Sequence, residues 1–127
     1  MNTPATLKDA LHTYSELELA VLIGSQALGS ATAESDLDIA YRWKIHSDAI
    51  HNLQQTEILK QHIADAIHIH RDKIDLIEMS KARLTMRAVI AEEVIVLKGE
   101  NSLAWHHFLS QTWAKLEDYY WRLSHVA

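Results

Sequence analysis

The 127-residue chain has the length of one domain, with 48% hydrophobic and 23% charged residues, ordinary values for a folded globular protein rather than a disordered one. Its 17 acids against 12 Lys and Arg give a net charge of -5, which argues against a general nucleic-acid binder with its basic face. The lack of cysteine excludes disulfides and a thiolate zinc site and fits a reducing cytoplasm, and no basic leader or run of 18 apolar residues marks a signal or membrane segment.

The elements follow in chain order. Leu7, Ala10 and Leu11 recur at helical spacing, so a first helix is expected over residues 7 to 16 with Thr6 as its N-cap. "LAVLI" (19 to 23) is a continuous apolar run ending at Gly24, the pattern of a strand buried on both faces. After a small-residue loop, "SDLDIAYRW" alternates strictly: Leu37, Ile39, Tyr41 and Trp43 share one face, and Asp36, Asp38, Ala40 and Arg42 the other.

Residues 47 to 68 read as a helix capped by Ser47, with Ile50, Leu53, Ile63 and Ile67 turned inward. "DKIDLIEM" (72 to 79) alternates again, placing Ile74 and Leu76 opposite Lys73, Asp75 and Ile77. Ser80 is the expected cap of a helix with Ala82, Met86, Val89 and Ile90 inside, and "EVIVLKG" (93 to 99) is a further strand. A tail helix over 102 to 124 carries Trp105, Phe108, Leu109, Thr112, Trp113, Leu116, Tyr120 and Leu123 along one side. The order α-β-β-α-β-α-β-α predicts one mixed α/β (α+β) domain over residues 1 to 127, a small mixed sheet flanked by helices with a C-terminal helix added.

The chemistry concentrates between residues 24 and 38. Residues two apart on a strand lie about 6.6 Å apart on one face, so Asp36 and Asp38 offer two carboxylates to the same or adjacent cations. Magnesium prefers such oxygen ligands and usually completes its shell with substrate phosphates, and two such ions clamp the attacking and leaving oxygens of a phosphoryl or nucleotidyl transfer. Gly24 and Ser25, at the end of a strand, free backbone N–H groups for an anion. A third ligand must come from a neighbouring strand, and Asp75 sits on the polar face of one. Taken singly, an Asp-x-Asp is more often a solvated strand edge and Gly-Ser a plain turn; their combination in this order favours a site.

Gly24-Ser25, Gly29 and Ser35-Asp36-Leu37-Asp38 resemble the G-S-x(3)-G-x(5)-S-D-x-D motif of the DNA polymerase beta-type nucleotidyltransferase superfamily. "KIDLIEM" resembles the third-strand segment of its minimal members. The likeness spans residues 17 to 99 and implies the nucleotidyltransferase fold. It further implies that Asp36 and Asp38 bind two Mg²⁺ ions (or Mn²⁺), that Asp75 helps bind one and activates the acceptor hydroxyl, that Gly24 and Ser25 contact the triphosphate of ATP, and that Ser35 shapes the turn into the strand. Relatives often carry an arginine between the two glycines, where this chain has Gln26, Ala27 and Leu28; Lys73, ahead of Arg42, is the nearest replacement cation. Minimal nucleotidyltransferases are typically antitoxins of HEPN-domain ribonuclease toxins, which implies a cytoplasmic enzyme that AMPylates a toxin hydroxyl, that of a tyrosine; charge and hydropathy add the expectation that it contacts neither membrane nor nucleic acid. Two other readings stay open: a binding module that neutralises its partner by contact through a vestigial site, and nucleotidyl transfer to a small molecule.

Two further features invite function. The nine histidines include His68 and His70, which share a side in an extended segment but lack the carboxylate or thiolate that would complete a zinc set. The aromatic tail, with three of the four tryptophans, either packs back on the domain or forms a surface for a homo- or hetero-oligomer.

Overall fold

The computed structural model describes residues 3–24, 36–45, 48–92 and 94–126. Its elements come in the expected order: α1 (Thr3–Leu11), β1 (Leu17–Ile23), β2 (Leu37–Trp43), α2 (Ala49–Ile67), β3 (Ile74–Glu78), α3 (Leu84–Ala91), β4 (Ile95–Lys98) and α4 (Leu103–Ser124), with single 3₁₀ turns at Arg71–Lys73 and Met79–Lys81. The strands form one mixed sheet in the order β3-β2-β1-β4. β1 pairs antiparallel with β2 and β4, whereas β2 and β3 run parallel, joined by α2.

Strand alternation divides the core into two layers. Leu37, Ile39, Tyr41 and Trp43 pack with Leu7 and Leu11 of α1 and Leu59 and Ile63 of α2. On the other side Val21, Ile23 and Ala40 pack with Ile90 of α3 and Trp105 and Phe108 of α4. The central strand β1 is covered on both sides, which is why its sequence is an unbroken apolar run. A register shift between Leu17 and Leu19 turns Leu17 into the α1/α2 layer with Ala20 and Leu22, leaving Glu18 to meet Arg42 across the strand pair.

Several local expectations are corrected. α1 begins at Thr3 with Pro4 in its first turn, where a missing N–H costs nothing, and ends at Leu11, so Thr6 is an internal residue and residues 12 to 16 form turns. α2 is capped by Asp48, whose side chain accepts from the Ile50 N–H, while Ser47 lies outside the described residues. Ile50 and Leu53 are exposed, being turned about 140° and 80° around the helix from the fully buried Ile63. Leu59, Ile63 and Ala64 form the buried stripe, with Ile67 packed at its edge.

Ser80 does not cap α3. Its hydroxyl donates to Glu78 just ahead of the 3₁₀ turn, and the helix starts four residues later, at Leu84 behind Arg83, without a side-chain cap. Ile90 is the buried anchor there, Ala82 and Met86 pack against it in part, and Val89 faces outward. β4 is shorter than residues 93 to 99, and Gly99 beyond it is required twice over, by a φ of +88° and because a Cβ there would lie 2.6 Å from the Glu18 carbonyl oxygen. Ser102 caps α4, accepting from the Trp105 N–H. Among the described residues no helix is long and apolar enough to cross a membrane.

Candidate functional site

β2 and β3 are parallel and in register at the point that matters: Asp38 faces Asp75 across the strand pair. Asp38 alternates with Leu37 and Ile39, so its side chain lies on the α3/α4 side of the sheet, two residues from Ala40 of that layer. Asp36 precedes the strand and is exposed, as is Asp75, whereas Asp38 is half-buried. Asp38 feels the other two acids. Burial first, then the charge of Asp75, then that of Asp36 hold the Asp38 carboxyl above the usual carboxylate range.

Gly24 closes the site from β1. Ile23 is the residue opposite Asp38 in the antiparallel pair, and Gly24 follows it with φ +75°. A Cβ built there would sit 3.1 Å from Asp38 Oδ2. The glycine is needed for a left-handed backbone and for the room the carboxylate occupies. The sequence pointed to Gly24 for its free backbone N–H group and to neither of these demands, the second of which crosses a strand pair.

The remaining predicted residues divide. Ser25 and Ser35, with Gly29 and the intervening Gln26, Ala27 and Leu28, lie outside the described residues. Lys73 sits half-buried in the 3₁₀ turn two residues before Asp75 and already has an interaction of its own. Arg42, the other cation considered, lies about 13 Å along β2 from Asp38 and is tied to Glu18 at 3.3 Å. It belongs to the opposite end of the strand from Asp38. His70 caps a turn, its Nδ1 accepting from the Asp72 N–H.

Carboxylates are the ligand type a hard cation takes, and a positive ion would offset the charge that Asp75 and Asp36 place on Asp38. Among the described residues, however, no group of three or more His, Cys, Asp or Glu side chains stands together closely enough to hold a metal ion.

The model of the polymerase beta nucleotidyltransferase family matches residues 5–102, and the chain belongs to this family. The resemblance of its motifs and the mixed sheet flanked by helices agree with that membership. Solved structures with the same fold include a chain of a toxin–antitoxin complex with AMP-PNP, which is 22% identical with a TM-score of 0.68 and covers 93% of this chain and 89% of its own. A chain of an MntA–HepT toxin–antitoxin complex is 20% identical with a TM-score of 0.60, covering 91% and 86% respectively. A third is from the tri-AMPylated Shewanella oneidensis HEPN toxin in complex with MNT antitoxin, at 20% identity and a TM-score of 0.62, covering 91% and 85%. No curated protein sequence matches the chain.

Proposed function

We propose that this chain is the antitoxin of a toxin–antitoxin pair and silences a HEPN-domain ribonuclease toxin by transferring AMP from ATP to one of its hydroxyls, a tyrosine in our reading. The observation that supports the proposal is that Asp38, in a nucleotidyltransferase fold, lies in register with Asp75 and feels the charge of both Asp75 and Asp36. The solved structures with this fold include one with AMP-PNP and one with an AMPylated toxin, which makes a protein hydroxyl the favoured acceptor over a small molecule.

Asp36 and Asp38 are the residues that would hold magnesium or manganese, with Asp75 completing one ion's ligand set. When bound, the metal neutralises charge on the triphosphate and on the departing pyrophosphate. Asp75 accepts the proton of the acceptor hydroxyl, whose oxygen forms a bond to the α-phosphorus of ATP as the bond to the pyrophosphate oxygen breaks. Gly24 and Ser25 hold the triphosphate through backbone and hydroxyl donors, Ser35 sets the entry into β2, and Lys73 supplies positive charge from the turn before β3. In this reading the chain acts in the cytoplasm, where ATP is at hand.

The test is direct. Purified chain, ATP, magnesium and the toxin should yield toxin whose intact mass has risen by whole AMP units and whose ribonuclease activity has fallen. The Asp36→Ala/Asp38→Ala double variant should do neither. Full neutralisation by that variant would mean that the chain acts by contact alone.

A further inference from the structure

A cavity of about 420 Å³, within the size range of small-molecule sites, opens where the start of β1 and the end of β2 meet α4. Leu103, Ala104 and Phe108 form apolar walls, and Glu18, Arg42 and Gln111 bring polar groups. Arg42 sets it about 13 Å along β2 from Asp38, at the other end of the sheet. Its charge is unbalanced. Glu18 pairs with Arg42 at 3.3 Å. A second guanidinium, that of Arg87 on α3, lies 4.4 Å over the ring of Phe108, and among the described residues no acid pairs with it. Its Nε and Nη2 are buried and have no hydrogen-bond partner. Burial first, then the charge of Arg42, hold Arg87 below the usual guanidinium range, so the two cations share one neighbourhood.

We propose that this cavity binds a small monocarboxylate with an apolar body, its carboxylate set against Arg42 and Arg87 and its body against Phe108 and Leu103. The charge, the donors and the walls together choose that ligand. Two guanidinium groups against one carboxylate leave one surplus positive charge, which a singly charged anion cancels and a phosphate dianion would overshoot. The planar guanidinium fork with its unmet N–H groups matches the two oxygens of a carboxylate. The apolar walls give the rest of such a molecule a surface that a bare inorganic anion would leave uncovered. The first turn of α4, which holds Leu103 and Ala104, adds the positive end of a 22-residue helix. Packing alone does not account for Arg87. The Phe108 ring attracts its charge but leaves the two N–H groups unmet, and methionine would fill similar space without them. The site lies apart from the carboxylates of β2 and β3 and does not rest on the adenylyl-transfer reading.

The experiment uses the full chain by itself, without ATP or toxin, with phenylacetate as the probe and phenethyl alcohol as its uncharged counterpart. In proton–nitrogen correlation spectra, millimolar phenylacetate should shift the amides of Ala104 and Phe108 and the Arg87 Nε–H in a saturable way and leave Gly24 in place. Phenethyl alcohol should leave all of these signals where they are. Arg87→Met should keep the wild-type circular dichroism spectrum and bind phenylacetate at least about tenfold more weakly. Arg87→Lys, which keeps the charge but loses the planar fork, should fall between the two. Wild-type affinity in both Arg87→Met and Arg87→Lys would overturn the site. So would equal binding of phenethyl alcohol, phenylacetate shifts confined to the Gly24 end of the sheet, or no shifts from phenylacetate at all.

Discussion

Replacing Gly24 with alanine separates the two demands on that residue. The backbone at φ +75° costs an alanine about 1–2 kcal/mol relative to glycine. The new methyl also lies 3.1 Å from Asp38 Oδ2, closer than ordinary contact by a few tenths of an ångström. The atom it meets is the end of a side chain, so the carboxylate gives way and little stability is lost beyond the backbone term. Activity responds differently, since a ligand group displaced by about 0.5–1 Å is enough to lower turnover on the order of 10²-fold. Urea unfolding should therefore show a loss of about 1–2 kcal/mol, with AMP transfer to toxin, measured on fully folded protein, down by a far larger factor than instability explains. Wild-type transfer by folded Gly24→Ala would refute the claim that the Gly24–Asp38 contact positions the carboxylate.

Asp38→Asn should stabilise the chain while abolishing transfer. Asp38 holds its proton more tightly folded than unfolded, so it opposes folding at neutral pH, and that opposition vanishes as pH falls through its folded pKa toward the ordinary carboxylate value. The wild type should thus gain stability relative to Asp38→Asn on acidification across that window, read from urea midpoints of both proteins at several pH values. Gly99→Ala should cost more than Gly24→Ala, about 3 kcal/mol or more, because its Cβ would meet the Glu18 carbonyl oxygen at 2.6 Å and Leu19 at 2.7 Å, and backbone cannot rotate aside; thermal melts decide this. Arg87 stacks over Phe108 at 4.4 Å, yet its Nε and Nη2 are buried without a hydrogen-bond partner among the described residues. Arg87→Met should accordingly raise stability by about 1 kcal/mol, and a lowered urea midpoint would show that the stacking outweighs the unmet donors.

Much of this protein is legible before folding because its patterns are local. The alternation of residues 36 to 43 assigns Leu37, Ile39, Tyr41 and Trp43 to one core layer and Asp38 to the other, and the structure keeps that division. The unbroken run of β1 likewise announces a strand covered on both sides. Helix phase was less legible. In α2 the aliphatic Ile50 and Leu53 mimic a buried face, but the stripe that reaches the sheet begins with half-buried Asn52 and Thr56. Trp43 donates to the Thr56 hydroxyl at 2.9 Å, which explains a polar residue in that stripe. Nothing within a helical turn encodes which side the sheet will occupy.

The carboxylates show the same boundary. Period-two spacing and the order of motifs mark Asp36, Asp38 and Asp75 as chemistry-bearing residues, since strand geometry alone sends residues two apart to one side. Their ranking belongs to the tertiary structure. Parallel pairing of β2 with β3 sets Asp75 beside Asp38 across some 37 residues of chain, burial singles out Asp38, and Gly24 leaves it room. The tail obeys the same rule: its stripe is written continuously from Trp105 to Leu123, but only the edge of the domain decides that the stripe is core as far as Thr112 and open surface beyond Leu116. Periodicity states which side chains share a face, and contacts between distant segments decide what that face meets.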